Sequence, residues 1–222
     1  MGSGRILSVS RGHAVPAGWA GELKRTAIDK RPAAGRVRVG RLGLDGDEQA
    51  DTANHGGPEQ AVYVYAREDL DWWAGQTGRD LRDGFFGENI TTEGLDVTNA
   101  LIGERWRLGR AVVQVTACRI PCVVFRNWTG ETGWVKRFAQ AGRPGAYVRV
   151  LEEGDVAAGD PVTVLDRPDN PDHRVTVAGS MRAYYDRDLA VARRMIAVLG
   201  PASKWNVAAE EWERNAGLAA RG

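Results

Sequence analysis

The chain has 222 residues, 43% of them hydrophobic, which suits one moderate domain with an appendage, or two small domains, and excludes disorder as the starting point. Thirty basic against 29 acidic side chains leave a formal net charge of +1, so the overall balance gives no pull toward nucleic acid or an anionic membrane. No apolar run approaches the roughly 20 residues that span a bilayer, and the first residues lack a signal-peptide core, so the expected location is the cytoplasm.

Residues 1–166 read as strands and turns. Short runs rich in β-branched or aromatic residues fall at 6–10, 36–42, 61–65, 147–151 and 162–165, with glycines between them. Residues 105–108 and 111–116 predict two strands joined in a tight hairpin across Gly109-Arg110. A helix is predicted over 67–74, where Leu70 and Trp73 share a face and Asp69 and Asp71 point elsewhere. The polar, proline-bearing stretch 166–172 predicts a linker. Beyond it, Leu189, Ala192, Ile196 and Leu199 recur at helical spacing and stop at Gly200-Pro201; Trp205, Ala208, Ala209 and Trp212 repeat the pattern on a last helix, after a short one near 177–185. The expected fold is mostly β: a closed or partly closed antiparallel β-barrel over 1–166 with a few peripheral helices, and a three-helix domain over 173–217.

The most informative residues are the two cysteines, in Ala117-Cys118-Arg119-Ile120-Pro121-Cys122 at the end of an apolar strand. They form no disulfide framework, and in a reducing compartment they favour reactive or metal-bound thiols. A thiolate at Cys122 would serve as soft metal ligand, nucleophile or sulfur carrier. Both cysteines also read as small buried apolar residues. Arg119, one turn-length from Cys122, is placed to lower a thiol pKa or grip a phosphate. The loop from Asp45 to Pro58 packs acids, Gln49, His55 and the pair Gly56-Gly57 before a strand. Adjacent glycines let backbone N–H groups approach an anion, and His55 adds a hydrogen bond or a proton; the alternative is a turn that merely needs glycine. In Phe85-Phe86-Gly87-Glu88-Asn89-Ile90, Asn89 offers the donors and acceptors that a heterocycle edge requires, although an ordinary turn has the same composition.

Taken together, Gly46-Asp47-Glu48-Gln49-Ala50 with His55-Gly56-Gly57-Pro58, Phe86-Gly87-Glu88-Asn89, and Arg119-Ile120-Pro121-Cys122 resemble, in letters, order and spacing, the MOSC domains, named for the C-terminal domain of molybdenum cofactor sulfurase. Within that family the chain is similar to the stand-alone YiiM-type proteins linked to 6-hydroxylaminopurine resistance. The resemblance covers about residues 5–166 as the barrel, and 173–217 resembles the three-helix appendage of that branch. It implies a bound molybdenum cofactor, with Cys122 as thiolate ligand to the metal or as persulfide carrier. It implies Gln49, Gly56, Gly57, Gly87, Asn89 and Arg119 around the phosphate and the pterin edge. His55 and Glu88 are the candidates for proton delivery beside Cys122.

The implied activity is reduction of N-hydroxylated compounds, namely hydroxylamines, amidoximes or N-hydroxylated bases. The alternatives are a sulfur or cofactor carrier with a persulfide on Cys122, and a pathway-specific enzyme with a nucleophilic cysteine and no molybdenum. No flavin, haem or iron–sulfur group is expected, since no Gly-x-Gly-x-x-Gly follows a strand and two cysteines cannot hold a four-cysteine cluster. A zinc site is a poorer reading because Cys118, Cys122 and His55 lack a paired local motif. The expected partners are a small-molecule substrate and a separate electron-donating reductase, with no nucleic acid and no membrane. The appendage and the barrel edges keep a homodimer open.

Overall fold

The computed structural model describes residues 3–51, 56–169 and 172–219. Seven strands form the barrel: β1 (Ser3–Arg11), β2 (Val62–Ala66), β3 (Ile90–Glu93), β4 (Arg105–Leu108), β5 (Ala111–Cys118), β6 (Ala146–Glu152) and β7 (Pro161–Asp166). Their order around the sheet is β7-β4-β5-β6-β2-β3-β1, and pairing of β1 with β7 closes the ring. Closure leaves each of the seven paired on both sides, which removes the exposed edges of an open sheet. The expected hairpin is present, with Ala111 opposite Leu108.

The sheet is mixed rather than wholly antiparallel. Strands β2 and β3 run parallel, because helix α1 (Arg67–Thr77) carries the chain back between them, the kind of crossover that parallel neighbours require. All five residues of β2 are buried, with the barrel interior on one face and α1 over the other. Leu70 and Trp73 of α1 are buried as expected, but so is Asp69. Its carboxylate accepts from Thr98 Oγ1 at 2.7 Å and is ion-paired with Arg143, whose guanidinium lies over the Trp72 ring. The strand expected over 36–42 is shorter, Val37–Gly40, and pairs outside the barrel with Gly154–Val156 and Gly43–Leu44.

Two of the expected peripheral helices fall where the sequence predicts none: α2 (Val123–Thr129) and α3 (Trp134–Ala141). Val123, Val124 and Thr129 carry local strand propensity, but burial decides the outcome. Phe125 of α2 and Trp134 and Phe138 of α3 are fully enclosed around Phe86 and Trp73, with Trp73 stacked on Phe138 at 5.7 Å. These edge and stacked pairs lie in the 4.5–7 Å range where aromatic contacts add to burial.

Helices α4 (Val177–Asp186), α5 (Leu189–Leu199) and α6 (Lys204–Ala219) follow the linker. Thr176 and Asp188 cap α4 and α5 by accepting from the Gly179 and Val191 amides. The three helices dock on the barrel, and their buried residues, among them Val177, Met181, Met195 and Trp205, join the barrel's own hydrophobic cluster. Polar pins reinforce the contact: Trp205 Nε1 donates to Thr116 O at 3.0 Å, and Arg149 Nη1 donates to Leu199 O at 3.1 Å.

Candidate functional site

Strand β5 ends at Cys118, and a four-residue loop returns the chain into α2. Cys118 is 2% exposed, and burial pushes its thiol up to about 12, so it stays protonated at neutral pH and serves as a core residue. Cys122 is half-buried and occupies the N-cap position of α2 with an extended backbone. Between them, Arg119 turns inward. Its Nη1 donates to Phe86 O at 2.8 Å, and its guanidinium lies 4.1 Å from the Phe125 ring centre and 5.1 Å from that of Tyr63. Desolvation opposes its charge, but Tyr147, Tyr63 and Cys122 more than compensate, and its pKa is raised. Among the described residues its buried Nε–H has no acceptor. A buried donor without a partner is costly, so an acceptor from a ligand is the missing complement.

The loop that begins at Asp45 delivers the opposite wall. Asp47 accepts from the Gly12 amide at 2.8 Å and from Asn89 Nδ2 at 2.8 Å, and it is ion-paired with Lys30. Desolvation lowers the Lys30 pKa, with Arg119 acting in the same direction, while Asp47 raises it. Asn89 is committed to the fold, since its Oδ1 also accepts from the Tyr63 amide at 3.1 Å. Its turn is held by Gly87, at φ +78°, where a Cβ would come 3.1 Å from Ile28 Cγ1. Gly56 has φ +84°, a conformation that favours glycine, and a Cβ there would fall 1.7 Å from Gln49 Oε1, so the Gln49 amide would have to swing aside.

One cleft gathers Gln49, Gly56, Gly87, Asn89, Arg119 and Cys122, six of the residues singled out from sequence. Its enclosed part holds about 120 Å³, and the cleft opens from there to solvent. Gly57 lies just outside its lining, and His55 lies outside the described residues. Glu88 is not part of the lining either. It is fully buried behind the turn, where its carboxylate accepts from the Gly84 and Phe86 amides at 2.5 and 2.9 Å and from Thr91 Oγ1 at 3.2 Å. Burial raises its pKa to about 7 against the pull of those donors. Geometrically it is a staple of the Gly87 turn, which departs from its expected place in proton delivery.

Among the lining residues not singled out from sequence are Lys30, Tyr63 and Tyr147. Lys30 sits among alternating charges at Asp29-Lys30-Arg31, which look like a solvated surface, and only its 7% exposure reveals its role. Tyr63 and Tyr147 are paired neighbours on β2 and β6, 4.9 Å apart between ring centres, and read locally as strand residues. The floor of the cleft thus carries two cations, Lys30 and Arg119, against one buried carboxylate, Asp47. Arg25, Glu48 and Asp51 complete the charged lining, three cations against three carboxylates, so an anion would be drawn by the buried Arg119 and Lys30 rather than by a net charge. Among the described residues no group of three or more His, Cys, Asp or Glu side chains could hold a metal ion, so a metal here would need donors from a ligand besides Cys122.

A model of the MOSC domain matches residues 51–163. The chain is 36% identical over 200 residues to YflK of Bacillus subtilis (strain 168), covering 90% of each chain. It is 33% identical over 169 residues to a protein named "Reductase" of Gibberella moniliformis, covering 74% of this chain and 30% of that one. Among solved structures, YiiM from Geobacillus stearothermophilus aligns with a TM-score of 0.76 and 26% identity, covering 94% of this chain and 98% of that one.

Proposed function

This chain belongs to the MOSC domain family, and from that premise we propose that it is a molybdenum-cofactor protein that reduces N-hydroxylated compounds. The observation that carries the reading is the cleft in which the Cys122 sulfur, the unpartnered Nε–H of Arg119 and the Lys30 ammonium converge. These groups fit the cofactor on chemical grounds. A half-buried thiolate is a suitable protein ligand for a metal already held by dithiolene sulfurs. The buried Lys30 and Arg119 suit a phosphate, to which Arg119 offers a fixed, planar donor. The Gly56 and Gly87 backbones form the part of the wall where a Cβ would intrude.

When bound, the cofactor would supply the two-electron redox chemistry, and this chain's residues would do the rest. Overall, R–NHOH takes up two electrons and two protons, the N–O bond breaks, and R–NH2 and water leave. Cys122 would anchor the metal side. Arg119 and Lys30 would hold the anionic end, and Asp47 would keep Lys30 charged against the desolvation that lowers its pKa. Burial raises the Tyr147 pKa, so its Oη holds a proton at neutral pH beside Cys122, on the boundary of the cleft. The electrons would come from a separate reductase. The protein named "Reductase" that is similar over residues of this chain supports an oxidoreductase assignment.

The test is metal and pterin analysis of full-length protein made in a molybdenum-replete host. Wild type should carry molybdenum near one per chain, and Cys122→Ser should lose at least ten-fold. Protein without molybdenum in both forms would overturn the proposal.

A further inference from the structure

Helix α2 begins directly after Cys122, and we propose that its outer face, continued across α3 and the end of α4, is where an acidic electron-carrier protein docks to supply the site. This rests on the reading of the first cleft as a reductase site fed by a separate donor. The Arg126 amide donates to Cys122 O at 3.0 Å, so Arg126 stands one helical turn, about 6 Å along the axis, from Cys122. Arg126 lines an open groove of about 600 Å³ with Trp134, Val135 and Lys136 of α3 and Tyr185 of α4. Cys122 also lines a second cleft, with Tyr184 of α4 and Trp205 of α6, and the Tyr184 and Tyr185 rings lie 5.7 Å apart. The groove shares no lining residue with either cleft. A protein seated on it therefore approaches the Cys122 loop from outside and leaves both clefts open. In each turnover it loses the two electrons that R–NHOH gains, the protons coming from solvent, and leaves oxidised.

The chemistry of the face sets the partner. Tyr185, Val123 and Trp19 are exposed large hydrophobic side chains on it. Trp19 is held against α2, its ring 6.0 Å from that of Trp128 and its carbonyl accepting from Asn127 Nδ2 at 2.7 Å. Arg126 and Lys136 are the charged residues of the described lining, and no Asp or Glu accompanies them. Arg126 Nε donates to the neutral Asn127 Oδ1 at 3.0 Å, so no carboxylate answers its charge. Glu131 is the one acid in residues 119–151, and it is shared by Arg79 and Arg137 at 3.7 and 3.1 Å. The end of α4 beside Tyr185 is balanced, with Arg182 and Arg187 against Asp186 and Asp188. A chain whose formal charge is only +1 thus presents a locally cationic face, which draws an acidic partner and repels a basic one. Apolar surface at the centre with charge at the rim is the usual anatomy of a protein–protein interface.

Flavodoxin, an acidic flavin carrier, and cytochrome c, a basic haem carrier, are the probes, titrated calorimetrically into full-length protein at low salt. Wild type should bind flavodoxin about ten-fold tighter than cytochrome c, and added salt should weaken it. Arg126→Glu with Lys136→Glu should weaken flavodoxin about ten-fold, with molybdenum content and thermal midpoint unchanged. Arg107→Glu with Arg110→Glu, the same charge change on the exposed side of the β4–β5 hairpin, should leave it within about two-fold. With benzamidoxime as acceptor, molybdenum-loaded protein of the first variant should oxidise reduced flavodoxin about ten-fold more slowly than wild type. It should oxidise reduced methyl viologen, a small donor that needs no docking, at the wild-type rate. Absent flavodoxin binding, undiminished affinity in the first variant, equal loss in both double variants, or equal slowing with both donors would overturn the proposal. The expected affinity pattern in protein that never carries molybdenum would support the surface and count against the cofactor reading.

Discussion

At the scale of the residue, Glu88 shows how a motif letter can serve structure. Its folded pKa of about 7 lies above the ordinary 4.5, so between those values the folded state binds more protons than the unfolded chain. Stability should therefore fall as pH rises from 4.5 to 7, by about 3 kcal/mol at most, since a tenfold difference in proton affinity between the two states corresponds to about 1.4 kcal/mol. Glu88→Gln should flatten that slope in denaturant titrations across the same range. It should also lose about 1–3 kcal/mol at pH 5, because its amide cannot accept from both the Gly84 and the Phe86 N–H. Gly56→Ala is the sharper probe of the cleft. Its φ of +84° strains any L side chain, and the added Cβ displaces the Gln49 amide from its place in the cleft wall. Molybdenum retention should drop several-fold, with at most about 1–2 kcal/mol lost in a thermal melt. Gln49, Gly56, Gly87, Asn89, Arg119 and Cys122 were legible because glycine, amide, guanidinium and thiol are informative letters at fixed spacing. Lys30 was not, because a buried lysine in a charged run has the same letters as a solvated one.

At the scale of the element, strands were easier to read than short helices. Strand β5 and its hairpin partner carry β-branched alternation and a two-residue turn, which are local signals. Helices α2 and α3 have seven and eight residues, too few to show a period, and they form because their aromatic residues close over Phe86 and Trp73. Phe138→Ala should accordingly cost about 3–5 kcal/mol, measured by chemical unfolding, since the side chain is fully enclosed and its neighbours cannot all collapse inward. The parallel pairing of β2 with β3 was also beyond local reading. Alternation reports which face is buried and is silent on strand direction.

At the scale of the whole molecule, the C-terminal helices are part of the barrel's core. Val177, Met181 and Trp205 are buried in one cluster with barrel residues, and Leu101 bridges to Thr176. Removing residues 173–222 should leave a barrel that binds apolar dye and melts at least 10 °C lower, whereas an independently stable barrel would keep its midpoint. Among the described residues no helix is long and apolar enough to cross a membrane, in keeping with the absence of such a run in the chain.

The amino-acid sequence by itself determined the strand-rich body, the change to helices after residue 166, and the chemistry available at Cys122, Arg119 and the two glycine turns. These depend on composition, period and residue type, which are local properties. Only the tertiary structure decided the closure of β1 on β7, the burial of Lys30 against Asp47, the retreat of Glu88 behind its turn, and the position of Cys122 between two clefts. Each of these joins residues far apart in the chain. They arise from competition for buried space and for hydrogen-bond partners, which is settled across the molecule rather than along it.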